Sequence, residues 1–378
     1  MKCKLDRDTL IAPLQLVTNV IERRQTLPIL ANVYLELKQG VMTLIGTDLE
    51  VEVSQEVSVA KEEANGSCTV TARKLLDICR ALPEGSIISL SGQGERLKLQ
   101  SGRSRYTLQT LSAKEYPRIE PTNWATRIKL PAATLRRLFE KTAFSMAQQD
   151  VRYFLNGVLL EFSDQQVVAV ATDGHRLART ECAVEQEAGA TQQAIVPRKA
   201  VLEMSRFLAG SEEEITLEIN PNHLRITRAG AVLTTKLIDG KFPDYRAVIN
   251  QKLTREALAE RQPLYEVLAR TAVLTNDKYR GVRVSIEPGE LKVSAHNPDQ
   301  EEASDEITIV YDGDGLEIGF NVTYLMDALR ALHTDQVQLA FEDGNSGCLV
   351  RSPGNTTTEY LIMPVSYTHL TLPTTPYV

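Results

Sequence analysis

Cysteine is scarce in this 378-residue chain. The five, Cys3, Cys68, Cys79, Cys182 and Cys348, are scattered, odd in number and free of any CxxC spacing. That pattern disfavours a disulfide framework or a zinc site and points to buried, reduced thiols. The five histidines, His175, His223, His296, His333 and His369, never fall in an HExxH or related spacing, so neither a metal enzyme nor any cofactor is expected. No GxxxxGK[ST] stretch exists to hydrolyse nucleotides through a P-loop, and no GxGxxG follows a strand. No apolar run approaches the ~18–20 residues that a spanning helix needs. The first residues, Met1-Lys2-Cys3-Lys4-Leu5-Asp6, lack the apolar core of a secretion signal, and a cytoplasmic location is the expectation. Proline and glycine together make only 37 residues against 43% hydrophobic content, so the chain is not disordered. At roughly 100–200 residues per domain, two or three packed domains are expected.

In place of motifs the chain has repetition. Asn32 to Leu37 runs into Gly46-Thr47-Asp48-Leu49-Glu50, Asn156 to Phe162 into Ala171-Thr172-Asp173-Gly174-His175-Arg176, and Arg280 to Ile286 into Ala295-His296-Asn297-Pro298. The intervals Asn32–Asp48, Gly157–Asp173 and Gly281–Asn297 are each 16 positions, and the period is 125, then 124. Arg73-Lys74 recurs as Arg198-Lys199 and then Thr323-Tyr324, 125 apart each time, and Tyr116-Pro117 recurs as Phe242-Pro243, 126 later. The reading is three homologous domains of about 120 residues, each large enough for its own core, not a solenoid.

Within each repeat the pattern is helix, hairpin, helix, hairpin. Leu135, Leu138, Phe139 and Thr142 keep helical spacing, as do Leu75, Ile78, Cys79 and Leu82, which end at Pro83-Glu84-Gly85. Thr43–Gly46 and Glu95–Gln100 alternate as half-buried strands. Two helices and about eight short strands per repeat make an α+β domain. Domains are placed at 1–122, 126–248 and 250–364, with linkers near Glu120–Ala125 and Val248–Leu253.

The net charge of −7 argues against nucleic acid only if charge is evenly spread. It is not. Arg23, Arg24, Arg73, Lys74, Arg80, Arg136, Arg137, Lys141, Arg198, Lys199 and Arg206 lie in or beside the predicted helices. Acid clusters occupy turns or edges at 61–63, 212–214 and 299–306. Solvated helix faces are the plain reading of such cations; recurrence of Arg-Lys between repeats favours a function.

These residues resemble the bacterial DNA polymerase III beta subunit family, the processivity sliding clamps, across residues 1–364. The stretches that carry the resemblance include Thr26-Leu27-Pro28-Ile29-Leu30, Ser101-Gly102-Arg103-Ser104-Arg105, Gln149-Asp150-Val151-Arg152-Tyr153, Thr172 to Ala178, Phe242-Pro243-Asp244-Tyr245-Arg246 and Gly319-Phe320-Asn321-Val322. The resemblance implies a head-to-tail homodimeric ring of six similar domains, with helices lining a hole around duplex DNA. Such a ring reconciles acidic net charge with DNA, because phosphates respond to the local field. It needs no base readout, because phosphate contacts carry no sequence information.

By matching position, the implied DNA contacts are Arg24, Arg73, Gln149, Tyr153 and Phe154, where the family often has Tyr at the last. Lys199, Arg206 and Arg283 join them on charge and placement. The implied partner pocket comprises Leu155, Thr172, Gly174, His175, Arg176, Leu177, Pro243, Val248, Met363 and Pro364, with Arg152 and Asn321 at its edge. Its Met and Leu walls suit a short linear motif with an aromatic or aliphatic anchor. Ala247 stands where the family often has Arg. The implied interface sets Arg96, Arg103, Arg105, Tyr106 and Leu108 against Val273, Leu274, Asp299, Glu301, Glu302, Asp305 and Glu306, opposite charges at opposite chain ends. The implied partners are double-stranded DNA, a second copy, a clamp loader, the polymerase alpha subunit and other polymerases, ligase, and mismatch-repair and initiator-regulating proteins.

Two other classes compete. Thr172-Asp173-Gly174-His175-Arg176 resembles acid–base machinery, but repeat one carries Thr47-Asp48 at the same place, which makes the turn part of the domain plan. The small Gly174 is expected to let another backbone approach. A monomeric binding protein of the same repeat plan is the second alternative. Residues 365–378 have no Lys, Arg, Asp or Glu and no counterpart in the first two repeats; they are read as a non-native tail, outside the fold.

Overall fold

The computed structural model describes residues 1–22, 27–119, 123–163, 165–184, 192–249, 253–276 and 280–365. Repeat one runs β1 (Lys2–Asp6), α1 (Arg7–Asn19), β2 (Asn32–Lys38), β3 (Val41–Thr47), β4 (Val51–Ser58), β5 (Lys61–Ala64), β6 (Gly66–Thr71), α2 (Ala72–Ala81), β7 (Ile87–Gln93), β8 (Arg96–Ser101), β9 (Ser104–Leu111). Repeat two runs β10 (Thr126–Pro131), α3 (Ala132–Thr142), β11 (Gly157–Phe162), β12 (Gln166–Thr172), β13 (Arg176–Ala183), β14 (Gln192–Pro197), α4 (Arg198–Phe207), β15 (Glu214–Ile219), β16 (His223–Arg228), β17 (Ala231–Lys236), then the short α5 (Tyr245–Ile249). Repeat three runs β18 (Arg255–Glu260), α6 (Arg261–Thr271), β19 (Gly281–Glu287), β20 (Glu290–His296), β21 (Glu302–Thr308), β22 (Leu316–Asn321), α7 (Val322–Ala331), β23 (Gln336–Phe341), β24 (Cys348–Arg351), β25 (Thr358–Ile362).

The helix-hairpin-helix-hairpin order expected from the sequence therefore recurs three times. Local chemistry explains it. The side chain of Asp6 caps α1 by accepting from the amides of Asp8 and Thr9, and Asn321 caps α7 by accepting from Thr323 N at 2.9 Å. Helix α2 buries Leu75, Leu76 and Cys79 while Arg73 and Lys74 stay exposed. Strand β8 buries Leu97 and Leu99 between exposed Arg96, Lys98 and Gln100.

The chain divides into two compact units, and they do not follow the three repeats. One is formed mainly by Met1–Arg136 and Lys199–Asp239, the other by Arg137–Val184 and the stretch from Gly240 onward. Strand pairing is the reason. In the first unit β10, β15, β16 and β17 of repeat two continue the sheet of repeat one through a β17–β4 ladder, giving a 13-stranded sheet. In the second, β14, β11, β12 and β13 join repeat three through β13–β25, giving an 8-stranded sheet. A separate 4-stranded sheet has the order β21-β20-β19-β22. These ladders join successive repeats edge to edge.

In the first unit α1 packs on α2, β3 and β4. In the second, α6 and α7 cover a core that includes Leu264, Leu268, Phe320, Leu325, Leu329, Phe341 and Tyr360. Of the expected linkers, residues 120–122 and 250–252 lie outside the described residues, and Val248 is helical rather than linker. Residues 366–378 also lie outside them. Val365, placed by the sequence in the tail, donates its amide to Gly319 O at 2.9 Å and so belongs to the fold.

Candidate partner pocket and nucleic-acid surface

The β12–β13 turn is built by its own side chains. Thr172 Oγ1 donates to Arg176 O at 2.7 Å and accepts from Gly174 N at 3.1 Å. Asp173 Oδ1 accepts from the amides of His175 and Arg176 at 2.9 and 3.0 Å, and its Oδ2 accepts from Arg176 Nε at 3.1 Å. The carboxylate is thus committed to the turn, while His175 is exposed and meets it only through its backbone amide. The first repeat repeats this geometry: Thr47 Oγ1 donates to Val51 O, and Asp48 Oδ1 accepts from Glu50 N and Val51 N at 2.9 and 2.7 Å. In the third, Asn297 Oδ1 accepts from Asp299 N and Glu301 N at 3.1 and 2.9 Å. The first two repeats therefore share one turn, the third keeps a variant of it with the second amide one residue further on, and no acid–base pair forms at Asp173 and His175.

Beside this turn lies a cleft of about 260 Å³ lined by Arg152, Leu155, Thr172, Gly174, Arg176, Leu177, Pro243, Tyr245, Val248, Leu361 and Met363. Nine of the twelve residues expected at the pocket line it. Tyr245 and Leu361 were not anticipated. Leu361 arrives through the β13–β25 ladder, opposite Leu177, a pairing 184 positions apart in sequence that no local pattern reveals.

His175, Asn321 and Pro364 do not line the cleft. His175 contributes its carbonyl, which accepts from Met363 N at 2.8 Å and fixes that wall. Asn321 caps α7, and Pro364 lines a neighbouring cleft with Arg283, Glu317 and Gly344. The neighbour of Gly174 is also not a backbone. Its φ of +89° favours glycine, and an added Cβ would stand 3.1 Å from the Arg152 guanidinium. Arg152 is itself held by Asp150 at 2.9 Å, whose carboxyl is lowered to about 2 by hydrogen bonds from the Arg152 side chain and amide. Arg176 is a strut more than a wall. Its guanidinium meets Asp327 Oδ2 at 2.7 Å and lies 4.5 Å from the centre of the Tyr324 ring.

The expected nucleic-acid residues fare differently from one another. Arg24 lies outside the described residues. Arg73 is exposed on α2. Gln149, Tyr153 and Phe154 share one loop, held by Asp150 N donating to Asn156 Oδ1 at 3.0 Å; Gln149 and Tyr153 are exposed and the two rings meet edge to face. Lys199 is engaged elsewhere: it is paired with both Glu22 and Asp48, and although burial opposes its charge, these two bonds raise its pKa on balance. Arg206 bonds Glu203. Arg283 sits on strand β19, 3.3 Å from Glu317, rather than on a helix. The charge pattern could not distinguish a cation facing solvent from one taken by a partner distant in sequence.

The expected interface residues occupy two open edges, one in each unit. Strand β9 meets β6 only at Leu111 and Thr110, so Ser104–Gln109 pair on one side alone, with β8. Arg105 is exposed there; Tyr106 and Leu108 are half-buried, and Arg96 and Arg103 flank them on β8 and the turn. Strand β21 ends its sheet and carries Glu302, Asp305 and Glu306, with Asp299 and Glu301 in the preceding turn. Arg270 holds Asp305 and, as the main cause, lowers its carboxyl. Val273 is 77% exposed nearby and Leu274 half-buried.

The cysteines offer no nucleophile among the described residues. All are unpaired; burial pushes the Cys3 and Cys68 thiols up to about 11, that of Cys79 to about 12, and those of Cys182 and Cys348 upward as well. No helix among these residues is long and apolar enough to cross a membrane.

Comparison with known proteins matches the chain to the DNA polymerase III beta subunit three times over: its N-terminal domain to residues 1–120, its central domain to 129–244 and its C-terminal domain to 246–366. The beta sliding clamp of Pseudomonas putida is 45% identical over 97% of this chain and all of its own length. That of Escherichia coli (strain K12) is 41% identical with the same coverage. The crystal structure of DNA polymerase III subunit beta from Pseudomonas aeruginosa aligns with a TM-score of 0.95 at 43% identity, over 97% of this chain and 100% of that one.

Proposed function

The chain belongs to the DNA polymerase III beta subunit family, the beta sliding clamps, and from that premise we propose how its own residues perform the clamp's work. Two copies close head to tail around duplex DNA and tether the replicative polymerase for processive, sequence-independent synthesis. The ring works without catalysis and in the cytoplasm.

One observation supports the closure above all. Each repeat ends in a strand that donates to a fixed acceptor strand of the repeat before it: β17 to β4, and β25 to β13. By the same positions β9 is the donor of repeat one and β21 the acceptor of repeat three; β9 has one side without a partner strand over Ser104–Gln109, and β21 ends its sheet. The series is left with one basic donor end and one acidic acceptor end. A second copy satisfies both, with Arg96, Arg103 and Arg105 facing Asp299, Glu301, Glu302 and Glu306, and with Val273, Leu274, Tyr106 and Leu108 burying apolar area.

Exposed Arg73 on α2, with Gln149 and Tyr153 on their loop, contacts phosphates weakly enough to slide. Retention then comes from topology rather than affinity. The cleft beside Gly174 takes the short motifs of the polymerase alpha subunit, and those of the clamp loader, other polymerases, ligase, mismatch-repair and initiator-regulating proteins. The decisive experiment loads the protein on nicked circular duplex. Retention through gel filtration that is lost on linearisation is expected; equal loss from circular and linear DNA would overturn the proposal.

A further inference from the structure

The donor–acceptor rule that builds the partner cleft operates twice in the chain. Met363 N bonds His175 O at 2.8 Å where β25 leaves β13; Lys236 N bonds Glu50 O at 2.9 Å where β17 leaves β4. Lys236 is therefore the counterpart of Met363, as Leu49 is of Gly174 and Pro117 of Pro243. A cleft of about 180 Å³ exists at this second place, within the first unit, with Leu49, Pro117 and Ile119 as apolar lining and Arg118, His223 and Lys236 as polar lining.

Its chemistry differs from that of its twin. Where the second unit has Leu177 and Met363, the first has Glu52 and Lys236. Glu52 is consumed: buried, it accepts from Arg118 Nε at 3.1 Å, Arg118 Nη2 at 3.2 Å and Ile119 N at 3.0 Å. Lys236 is exposed and makes no ion pair among the described residues, and His223 lies directly across the ladder from it. The wall thus presents the Lys236 ammonium over an aliphatic floor, and among the described residues no carboxylate lines the cleft to compete for it.

Resting on the reading of the Gly174 cleft as a peptide pocket, we propose that this second cleft is also a peptide-docking site, selective for a short acidic segment that sets a carboxylate beside an aliphatic side chain. Charge complementarity identifies that occupant. The cations of the first cleft, Arg152 and Arg176, are already held by Asp150, Asp173 and Asp327, whereas Lys236 of the second is left for a carboxylate of the occupant.

Methyl NMR on the full chain tests this, with the capped tetrapeptide Glu-Leu-Asp-Leu as probe and Gln-Leu-Asn-Leu as its neutral twin. The acidic peptide is expected to shift the Leu49 and Ile119 methyls saturably, and the neutral one to leave them in place. Lys236→Met, which copies the other cleft, and the milder Lys236→Gln are both expected to weaken the acidic peptide about fivefold at low salt. Silent Leu49 and Ile119 methyls, or equal response to both peptides, would overturn the proposal. The Leu155 and Leu177 methyls report the first cleft separately: if they ignore both peptides, it is the pocket reading that fails, and if they respond while Leu49 does not, only the second site is lost.

Discussion

The guanidinium of Arg176 meets Asp327 at 2.7 Å and so ties the β12–β13 turn to helix α7. Both side chains are mostly buried, and the same arginine reaches Asp173 and the Tyr324 ring. Removing Asp327 leaves the arginine bonded to Asp173 and to the Phe144 carbonyl but no longer to α7. Asp327→Ala is expected to cost about 1–2 kcal/mol in chemical denaturation, and to weaken a peptide bound in the Gly174 cleft by loosening the turn that forms it. Unchanged stability would show that the remaining contacts suffice.

Backbone geometry makes a paired prediction. Gly174 and Leu49 occupy the same turn position with φ of +89° and +79°. Gly174→Ala is expected to destabilise by about 1 kcal/mol through the left-handed backbone and to push aside the Arg152 guanidinium, a shift visible in a crystal structure. Leu49→Gly relieves the same strain and is expected to change stability by less, since the leucine is 37% exposed. Thermal unfolding of the two variants side by side decides it.

Among the helix cations, Arg73 and Lys199 should separate. Arg73→Ala is expected to lower the slope of log affinity against log salt by about 1, one phosphate contact's worth. Lys199→Ala is expected to leave the slope alone and to lower stability, because its charge is already held by Glu22 and Asp48. Identical slopes for both variants would contradict this division.

At the proposed junction, Val273→Ala with Leu274→Ala removes apolar area, and full burial of such a side chain contributes roughly 1.5–3 kcal/mol. Sedimentation at low concentration is expected to show dissociation at tenfold or more the wild-type concentration, with far-UV circular dichroism unchanged. A dimer as tight as the wild type would displace the junction from β21.

The Asp150–Arg152 pair has a defined pH window. The folded carboxyl is depressed to about 2, so whatever stability it lends is present above the ordinary aspartate pKa and is lost as the pH falls toward 2. A carboxyl-carbon NMR titration is expected to find Asp150 near 2 in the wild type and higher in Arg152→Ala, yet still below the ordinary aspartate range, because the backbone amide of residue 152 goes on donating to it.

Repetition and amphipathic spacing made the helices and the Thr-Asp turn legible, because both are short-range. Leu135, Leu138 and Phe139 face inward as their spacing requires, and the Thr47 and Thr172 turns share one hydrogen-bond plan. The pocket was legible where it is built from that turn and from Pro243. Leu361, Tyr245 and the fate of Lys199 were not, since each depends on a partner distant in sequence. The two-unit division escaped for the same reason: the residues of β4 and β17 bear no mark of the ladder between them.

If the proposed junction joins β9 of one copy to β21 of the next, the chain is a directional monomer for step growth, with the same linkage inside it as between copies. Whether such a monomer ends as a closed pair or as an open filament is decided by the curvature accumulated over its three covalently joined repeats. Of the six linkages in a closed pair, four have both strands on a single chain and only two lie between chains. A substitution that flattens the β17–β4 or β25–β13 ladder would therefore leave every repeat folded and every edge adhesive, and would convert a finite assembly into an endless one.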